Sequence, residues 1–421
     1  MKFAFFISLA LFFAPPSFGQ TMSTSSCSDM EVWDLSMGMC MPLPMKDMPM
    51  RMLMVQGNAF AVQSIESGPR GRSALSSPNM IMADLGSSLG DSHYVNLDFM
   101  GTFELWTFPD EGYPELLQIG EEQKNGAPFL DAQHPHNSPI MGLTLSDTIR
   151  LNDDSKDHLK LHFSPRGESG DGPIAFMHRP TGMANPDAPL GHHIAQDVGH
   201  ISSTVFGASL RLSDWTLEAS AFDGEEPNPT STGLSLGTPN SYSFRLARAF
   251  TPSLTAMTSV AYVKSPEHDD PNLPFVLRYS ASVYTEGKLG DCALHTASIV
   301  GLILKYDHAD TLFSFGEEFL LEKNRSLIFG RIEALQRTPD ELEVPSSGSP
   351  NDGQWIGAIT GGYTHRIFQS VSDAPNAFHL SLGGSATMDL LPSSFAEAYG
   401  SRTPWTGKLF LRIDGLGMWD L

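Results

Sequence analysis

The sequence predicts an all-β protein, a closed transmembrane antiparallel β-barrel of about 16 strands, with a range of 12 to 18. The first observation is a period of two in apolar residues: in HLKLHF (158–163), histidine and lysine alternate with leucine and phenylalanine. The second is that about sixteen such segments follow one another. The third is that short and long links alternate between them, which is typical of outer-membrane barrels with short periplasmic turns and long extracellular loops.

The predicted strands are 52–62, 78–86, 92–105, 139–150, 157–164, 199–211, 213–222, 241–250, 252–263, 275–287, 290–304, 311–321, 325–335, 354–366, 377–388 and 404–413. Links after even-numbered segments are short, as in NDDSK (152–156) and KN (323–324), whereas most links after odd-numbered segments are long. This alternation of short and long links is expected of a chain that crosses a membrane repeatedly and hydrogen-bonds its backbone groups by strand pairing. Trp419 lies six residues beyond the last predicted strand.

The chain divides into three predicted parts. Residues 1–19 have the short positive start, apolar stretch and small residues before Gly19 that are typical of a secretory signal peptide. Residues 20–51 form a Met/Cys-rich periplasmic arm, and residues 52–421 form the barrel. The net charge of −22 argues against a nucleic-acid partner and indicates an exported protein that meets cations.

Six histidines fall in three blocks within two long loops. Imidazole nitrogens suit zinc, copper, nickel or iron(II), and a nearby aspartate could complete a mixed nitrogen and oxygen set. The alternative is that the histidines only form hydrogen bonds that pack irregular loops. The predicted loop site consists of His134, His136, His178, His192, His193, His200, Asp131 and Asp197.

The arm holds closely spaced methionines, and its prolines favour an extended backbone. Thioether sulfur selects Cu(I), and cysteine thiolates are soft ligands as well. The arm candidates for Cu(I) are Met37, Met39, Met41, Met45, Met48, Met50, Cys27 and Cys40. Two alternatives stay open: Cys27 and Cys40 form a disulfide, and the methionines pack as apolar residues. We assign Met52 and Met54 to the barrel wall, where they would face lipid.

Catalytic motifs such as a GxSxG elbow, an HExxH helix or a P-loop do not occur in the sequence. His136, Asn137 and Ser138 invite comparison with outer-membrane phospholipases, which use a Ser-His-Asn arrangement. A triad is defined by geometry, so proximity in sequence alone does not predict an enzyme.

The blocks EGYPELLQIGE, PFLDAQHPHN, AFMHRPTGMANPDAPLGHH, DVGHIS and FDGEEPN resemble those of a family of largely uncharacterised Gram-negative outer-membrane barrel proteins. The resemblance spans roughly residues 52–413, and it implies a porin-like fold in the outer membrane, with the six loop histidines as shared residues. The layout of a Met-rich arm before a barrel is similar to that of outer-membrane copper-resistance barrels.

These features lead to one expected function and two alternatives. The expected function is a porin-like barrel, not an enzyme, that binds or passes metal ions, copper first. Copper(I) would bind at the arm and a divalent metal at the loop histidines. The alternatives are a general diffusion porin with structural histidines and an outer-membrane lipid or ester hydrolase. Expected partners are outer-membrane lipid, metal ions or small solutes, and a periplasmic metal carrier, with the oligomeric state left open.

Overall fold

The computed structural model describes residues 27, 31–34, 39–44, 50–153, 155–266, 273–305, 310–345, 348–370 and 377–421. The predicted signal peptide lies outside the described residues. The strands are β1 Glu31–Asp34, β2 Met39–Pro42, β3 Arg51–Glu66, β4 Ser73–Ser76, β5 Asn79–Leu89, β6 His93–Gly101, β7 Tyr113–Glu122, β8 Pro128–Gln133, β9 Ile140–Arg150, β10 His158–Gly167, β11 Ser202–Leu212, β12 Trp215–Asp223, β13 Ser241–Thr251, β14 Leu254–Lys264, β15 Phe275–Leu289, β16 Cys292–Lys305, β17 Asp310–Lys323, β18 Ser326–Arg337, β19 Gln354–Gln369, β20 Ala377–Leu390 and β21 Trp405–Asp420.

Helical elements are short. They are α1 Glu104–Thr107, a 3-10 turn Phe176–His178, α2 Pro180–Met183, a π-type turn His192–Gln196, a 3-10 turn Val198–His200 and α3 Ala396–Tyr399. Among the described residues, none of these helices is long or apolar enough to cross a membrane.

Sixteen antiparallel strands close into a barrel, and each corresponds to one predicted segment. They are β3, β5, β6 and β9 to β21, with the short β4 paired to β3 near one rim. The ring closes where the first and last wall strands pair, from Thr406 opposite Glu66 to Asp420 opposite Met52. Two small hairpins, β1–β2 and β7–β8, lie outside this ring of hydrogen bonds. The predicted fold class is therefore confirmed.

The barrel wall is apolar outside and polar inside. In β21, Leu409, Leu411 and Ile413 are exposed, whereas the alternating Lys408 and Arg412 are buried, with 3% and 7% of their surface accessible. This arrangement reverses that of a water-soluble sheet, and it is what a barrel surrounded by lipid requires.

The last strand is longer than predicted. It extends to Asp420, so Trp419 belongs to the strand and lies exposed on it, which corrects its predicted place beyond the barrel. Gly415 and Gly417 interrupt the apolar alternation in the sequence, but they still pair with Gly57 and Val55 of β3. Backbone pairing with a long neighbour therefore continues the strand where side-chain alternation does not reveal it.

The two ends of the barrel differ as predicted. Links such as 213–214, 252–253, 290–291 and 324–325 join strands at one end, which we call the short-turn end. The opposite end, the long-loop end, carries residues 102–139, here named inner loop A, and residues 168–201, here named inner loop B. Both inner loops are largely buried.

The predicted arm contributes a hairpin to the lumen at the short-turn end. This N-terminal hairpin consists of β1 and β2, and its Asp34 accepts a hydrogen bond from the Lys160 ammonium (Nζ–Oδ2 2.6 Å). Trp33 packs against a buried cluster that consists of Ile174 of inner loop B and of Ala247 and Met257 of the wall. The N-terminal hairpin and inner loop B thus fill the lumen from opposite ends, and residues from both meet at this cluster.

Candidate metal centre

Buried ion pairs fix inner loop B to the wall. Arg179 forms a two-pronged pair with Glu318 of β17 (Nη2–Oε1 2.7 Å, Nε–Oε2 3.1 Å), and Thr181 donates to the same carboxylate. Arg331 of β18 donates to the carbonyl oxygens of Asp187 and Ala188. Such pairs replace the water that these charges lose on burial. The loop is therefore held at defined points inside the barrel.

Inner loop A brings a second group of histidines to the same place. After the β7–β8 hairpin, the segment His134–Pro135–His136 turns into the lumen, and both imidazoles are buried. Glu104 of α1 fixes His136, because its Oε2 accepts from both the backbone N–H (2.9 Å) and Nδ1 (2.6 Å). A carboxylate on the rear nitrogen of an imidazole sets the tautomer and leaves Nε2 as the acceptor.

Five imidazoles from the two loops converge in what we call the histidine cluster. The ring centroids of His192 and His193 are 4.6 Å apart, and those of His192 and His200 are 5.0 Å apart. His136 lies 5.2 Å from His200, and His134 lies 5.4 Å from His193. Residues separated by up to 66 positions in sequence thus share one buried volume.

Among the described residues, two sets of side chains can each offer three ligand atoms within 4.8 Å of one another. One set is His134, His192 and His193, and the other is His192, Asp197 and His200. Ligand atoms that bind one zinc ion at about 2.0–2.1 Å lie roughly 3.3 Å apart, so closure needs only small side-chain movements. Because His192 belongs to both sets, an ion could pass between them without leaving the cluster.

Hydrogen bonds orient the imidazoles but do not saturate them. His200 and His134 donate from Nδ1 to the carbonyl oxygens of Asp197 and Pro135, respectively, which leaves Nε2 with its lone pair. Within the histidine cluster, four buried ring nitrogens have no hydrogen-bond partner among the described residues: His134 Nε2, His192 Nδ1, His193 Nε2 and His200 Nε2. A buried polar atom without a partner is costly, and four in one cluster are the donor set that a transition-metal ion would satisfy.

Burial keeps these histidines neutral. Desolvation, aided by the nearby His136, lowers the pKa of His134 to about 4. Burial and neighbouring imidazoles hold the pKa values of His192, His193 and His200 well below the usual range. Neutral imidazole is the form that binds metals, so these four side chains are in their ligand state at neutral pH.

Asp197 contributes a carboxylate whose pKa is shifted in the opposite direction. Its Oδ2 accepts from the Phe176 backbone N–H (2.7 Å), and its oxygens lie 3.8–4.0 Å from Nδ1 of His200 and His192. Burial raises the pKa of Asp197 well above its usual value. A cation bound beside it would favour the charged form.

The turn that carries His192 and His193 is strained and fitted closely to the wall. Ala195 has φ of +54°, a left-handed conformation that costs energy for a residue with a Cβ. The carbonyl of Ile194 accepts from the Ser314 hydroxyl (2.6 Å), and a Cβ at Gly301 would overlap that carbonyl. The wall therefore sets the position of His192 through a backbone contact.

The other predicted loop residues take different places. His178 lies outside both ligand sets and lines a neighbouring chamber with His200. Asp131 is engaged elsewhere: Arg70 (Nε–Oδ2 2.6 Å), the Leu117 backbone N–H and the Tyr399 hydroxyl hold its oxygens. Asp131 therefore anchors inner loop A to the rim, which corrects its predicted role as a ligand.

The predicted arm ligands are described only in part. Met37, Met45 and Met48 lie outside the described residues, and Met39 is described only through its backbone in β2. Met50, immediately before β3, is half-buried. Cys27 and Cys40 form a disulfide, which takes both sulfurs out of the set of thiolate ligands.

The remaining arm methionine contacts the wall. Met41 is buried against Met54, with Leu416 and Met418 packed beside them. Met54 lies in β3 as predicted, but this contact places it on the inner face, so the lipid-facing orientation predicted for Met52 and Met54 is wrong. Met54 and Met418 are direct cross-strand partners.

The geometry does not form the hydrolase arrangement suggested by His136, Asn137 and Ser138. The Ser138 hydroxyl donates to the backbone carbonyl of His136, and the His136 Nδ1 bonds to Glu104. The Asn137 amide donates to the carbonyl oxygens of Pro227 and Asn228. The three side chains thus serve separate contacts.

Sequence reasoning did not identify two residues that shape the cluster, Glu104 and Ser314. Glu104 is 32 positions from His136, and Ser314 is 120 positions from Ile194. Neither lies in a local motif, so only the fold reveals their roles.

Comparisons with known proteins support the fold. No protein-family model and no curated protein matches the chain, so the resemblance to a barrel family stays a prediction. Among solved structures, Salmonella typhi OmpF in complex with daunomycin has 7% identity and a TM-score of 0.54, covering 86% of this chain and 97% of that chain. The anion-selective porin from Comamonas acidovorans has 12% identity and a TM-score of 0.49, covering 87% and 99%. The likeness to OmpF shows that the chain has the barrel fold of an outer-membrane porin.

Proposed function

We propose that this protein is a porin-like barrel of a Gram-negative outer membrane that binds a transition-metal ion, copper first, in its lumen. The observation that carries the proposal is the set of four buried imidazole nitrogens without hydrogen-bond partners, contributed by two loops to one cluster. Imidazole suits divalent copper and zinc, so the histidine cluster would hold the divalent ion.

The filled lumen favours binding or gated passage over free diffusion. Inner loop B is fixed to the wall by Arg179 and Arg331, and the N-terminal hairpin occupies the opposite end. A general diffusion porin keeps a water-filled channel. With the N-terminus in the periplasm, the long-loop end would face outside the cell.

The arm supplies a second, soft-metal candidate. Met41, Met54 and Met418 bring three thioether side chains into one buried cluster at the short-turn end, and thioethers select Cu(I). Together with Met37, Met39, Met45, Met48 and Met50, they would take the monovalent ion from a periplasmic metal carrier. Removing residues 27–50 tests this part, because Cu(I) binding that is unchanged without the arm would exclude it.

The histidine cluster is tested with the purified full-length barrel. Metal analysis and isothermal titration with Zn(II) and Cu(II) should show binding that His192→Ala weakens at least about 100-fold, since it removes a ligand common to both sets. His379→Ala is the matched control, because His379 pairs with Asp414 on the wall (3.0 Å). Equal affinities in both variants would contradict the proposal.

Planar-bilayer recordings separate the proposal from a general porin. We expect conductance below that of an open sixteen-strand channel, and a further change on adding Zn(II) or Cu(II). A large, steady conductance that neither metal alters would support the general porin instead.

A further inference from the structure

Five methionines outside the arm lie together, four on the inner wall and one on inner loop B. Met80, Met82 and Met141 are buried with Met177 of inner loop B, and Met100 packs against them. Met80 and Met82 come from β5, Met100 from β6 and Met141 from β9, three neighbouring wall strands. We call this group the wall methionines.

Methionines at these inward-facing positions are unusual, because the lumen of an outer-membrane barrel is usually lined by polar residues. The adjacent inward positions carry polar groups: Asp84 follows Met82 in β5, and Asp98 precedes Met100 in β6. Met82 and Met100 are direct cross-strand partners, and such pairs have Cβ atoms about 4.5–5.5 Å apart. Two long thioether side chains at that spacing can bring both sulfur atoms to one point.

A chamber adjoins this pair and also reaches the histidines. It contains about 820 Å³ of space not occupied by atoms, part of which is open to solvent, and its lining includes Met82, Met100, His178 and His200. The Nε2 of His200, which is 95% buried, has no hydrogen-bond partner. The lining of this chamber therefore includes two thioethers and an imidazole.

We propose that Met82 and Met100, with an imidazole from His178 or His200, form a site for a soft monovalent ion, Cu(I) or Ag(I). Thioether sulfur binds these ions and discriminates against hard divalent cations. Hydrophobic packing alone would be served as well by leucine, whereas thioethers that line one chamber with an unsatisfied imidazole offer the mixed sulfur and nitrogen set that Cu(I) accepts. The site is separate from both ligand sets of the histidine cluster, except for the shared His200.

Ag(I) is the probe, because it has the same closed-shell configuration as Cu(I) and does not change oxidation state. Wild-type barrel in detergent is titrated with Ag(I), and bound metal is counted after removal of the free ion. The variant Met82→Leu/Met100→Leu conserves volume. It should lose about one equivalent of Ag(I) held at micromolar concentration while keeping its Zn(II) binding. Each single variant should weaken the same site.

A control variant and a spectroscopic measurement distinguish loss of this site from a general effect of replacing methionine. Met257→Leu changes a buried methionine beside Trp33 and should bind Ag(I) as the wild type does. Silver X-ray absorption should show sulfur neighbours in the wild type and fewer in the double variant. Unchanged Ag(I) stoichiometry and sulfur signal in the folded double variant would overturn the proposal, as would an equal loss in Met257→Leu. Failure of the wild-type barrel to bind Zn(II) would refute the histidine-cluster proposal. The Ag(I) measurements would still decide whether the methionine site exists.

Discussion

The Arg179 guanidinium and the Glu318 carboxylate meet in two nearly parallel hydrogen bonds, of 2.7 and 3.1 Å, inside the barrel. Arg179 precedes α2 of inner loop B, and Glu318 lies on β17, 139 positions later. Both side chains are at least 96% buried. The pair fixes the loop that carries His192, His193 and His200.

Arg179→Gln should loosen inner loop B, because Glu318 would stay buried without its partner. Breaking such a pair costs about 3–5 kcal/mol. Hydrogen exchange of the backbone amides of residues 168–201 should speed up, while exchange in the wall strands stays slow. The double variant Arg179→Gln/Glu318→Gln should recover part of the loss, and additive effects of the two changes would contradict a direct pair.

Gly301→Ala should disturb the histidine cluster without unfolding the barrel. A Cβ at residue 301 would overlap the carbonyl of Ile194, so the turn that holds His192 must move. Zn(II) affinity should fall about tenfold or more, as when supporting groups of a metal site are altered. Gly361→Ala is the control, since no atom lies within 4 Å of its added Cβ. An unchanged affinity in Gly301→Ala would show that the turn does not position the ligand.

Zn(II) binding at His134, His192 and His193 should depend little on pH between 7.0 and 5.5. Protons compete for an imidazole only below its pKa, and burial lowers that of His134 to about 4. Affinity should change less than about threefold over this range and fall only near pH 4. A site of three exposed histidines with ordinary pKa values would lose roughly a thousandfold in Zn(II) affinity at pH 5.5. Competition titrations at the two pH values distinguish these outcomes.

Trp33→Ala should weaken the packing of the N-terminal hairpin in the lumen, because Trp33 packs against the cluster of Ile174, Ala247 and Met257. The loss should be somewhat below the about 3–5 kcal/mol of a fully buried tryptophan, since Trp33 is only half-buried. Single-channel recordings should show a higher conductance or more frequent channel opening. Trp355→Ala, which changes an exposed residue of the outer wall, should behave as the wild type does. No difference between the two variants would mean that the hairpin does not obstruct the lumen.

The sequence was sufficient for the barrel wall because lipid imposes a pattern on every strand. An apolar face outside and a polar face inside produce the period of two, so all sixteen segments could be located. The pattern is lost in β21 beyond Ile413, where two glycines have no side chain to alternate. Pairing with β3 extends that strand, and pairing is not visible in one segment alone.

The lumen was predicted less completely, since its contacts join distant positions. The convergence of His134, His192 and His200 was anticipated from their loops, but the separation of Asp131 and the support from Glu104 were not. The wall methionines did leave a signal, because Met80 and Met82 alternate in phase with Asp84 on the inward face. Methionine on the polar face of a strand is the pattern that could have revealed them.

The cluster of Ile174, Ala247 and Met257, against which Trp33 packs, joins two segments that enter the lumen from opposite ends of the barrel. Moving the hairpin can change the free energy with which inner loop B docks in the lumen. Thermodynamic linkage then requires that moving inner loop B changes the docking free energy of the hairpin by the same amount. A partner that pulls the hairpin away would then alter the affinity of the histidine cluster, and an ion bound there would alter the affinity for that partner by the same factor. Through this one cluster, events at either surface could be communicated across the full thickness of the bilayer.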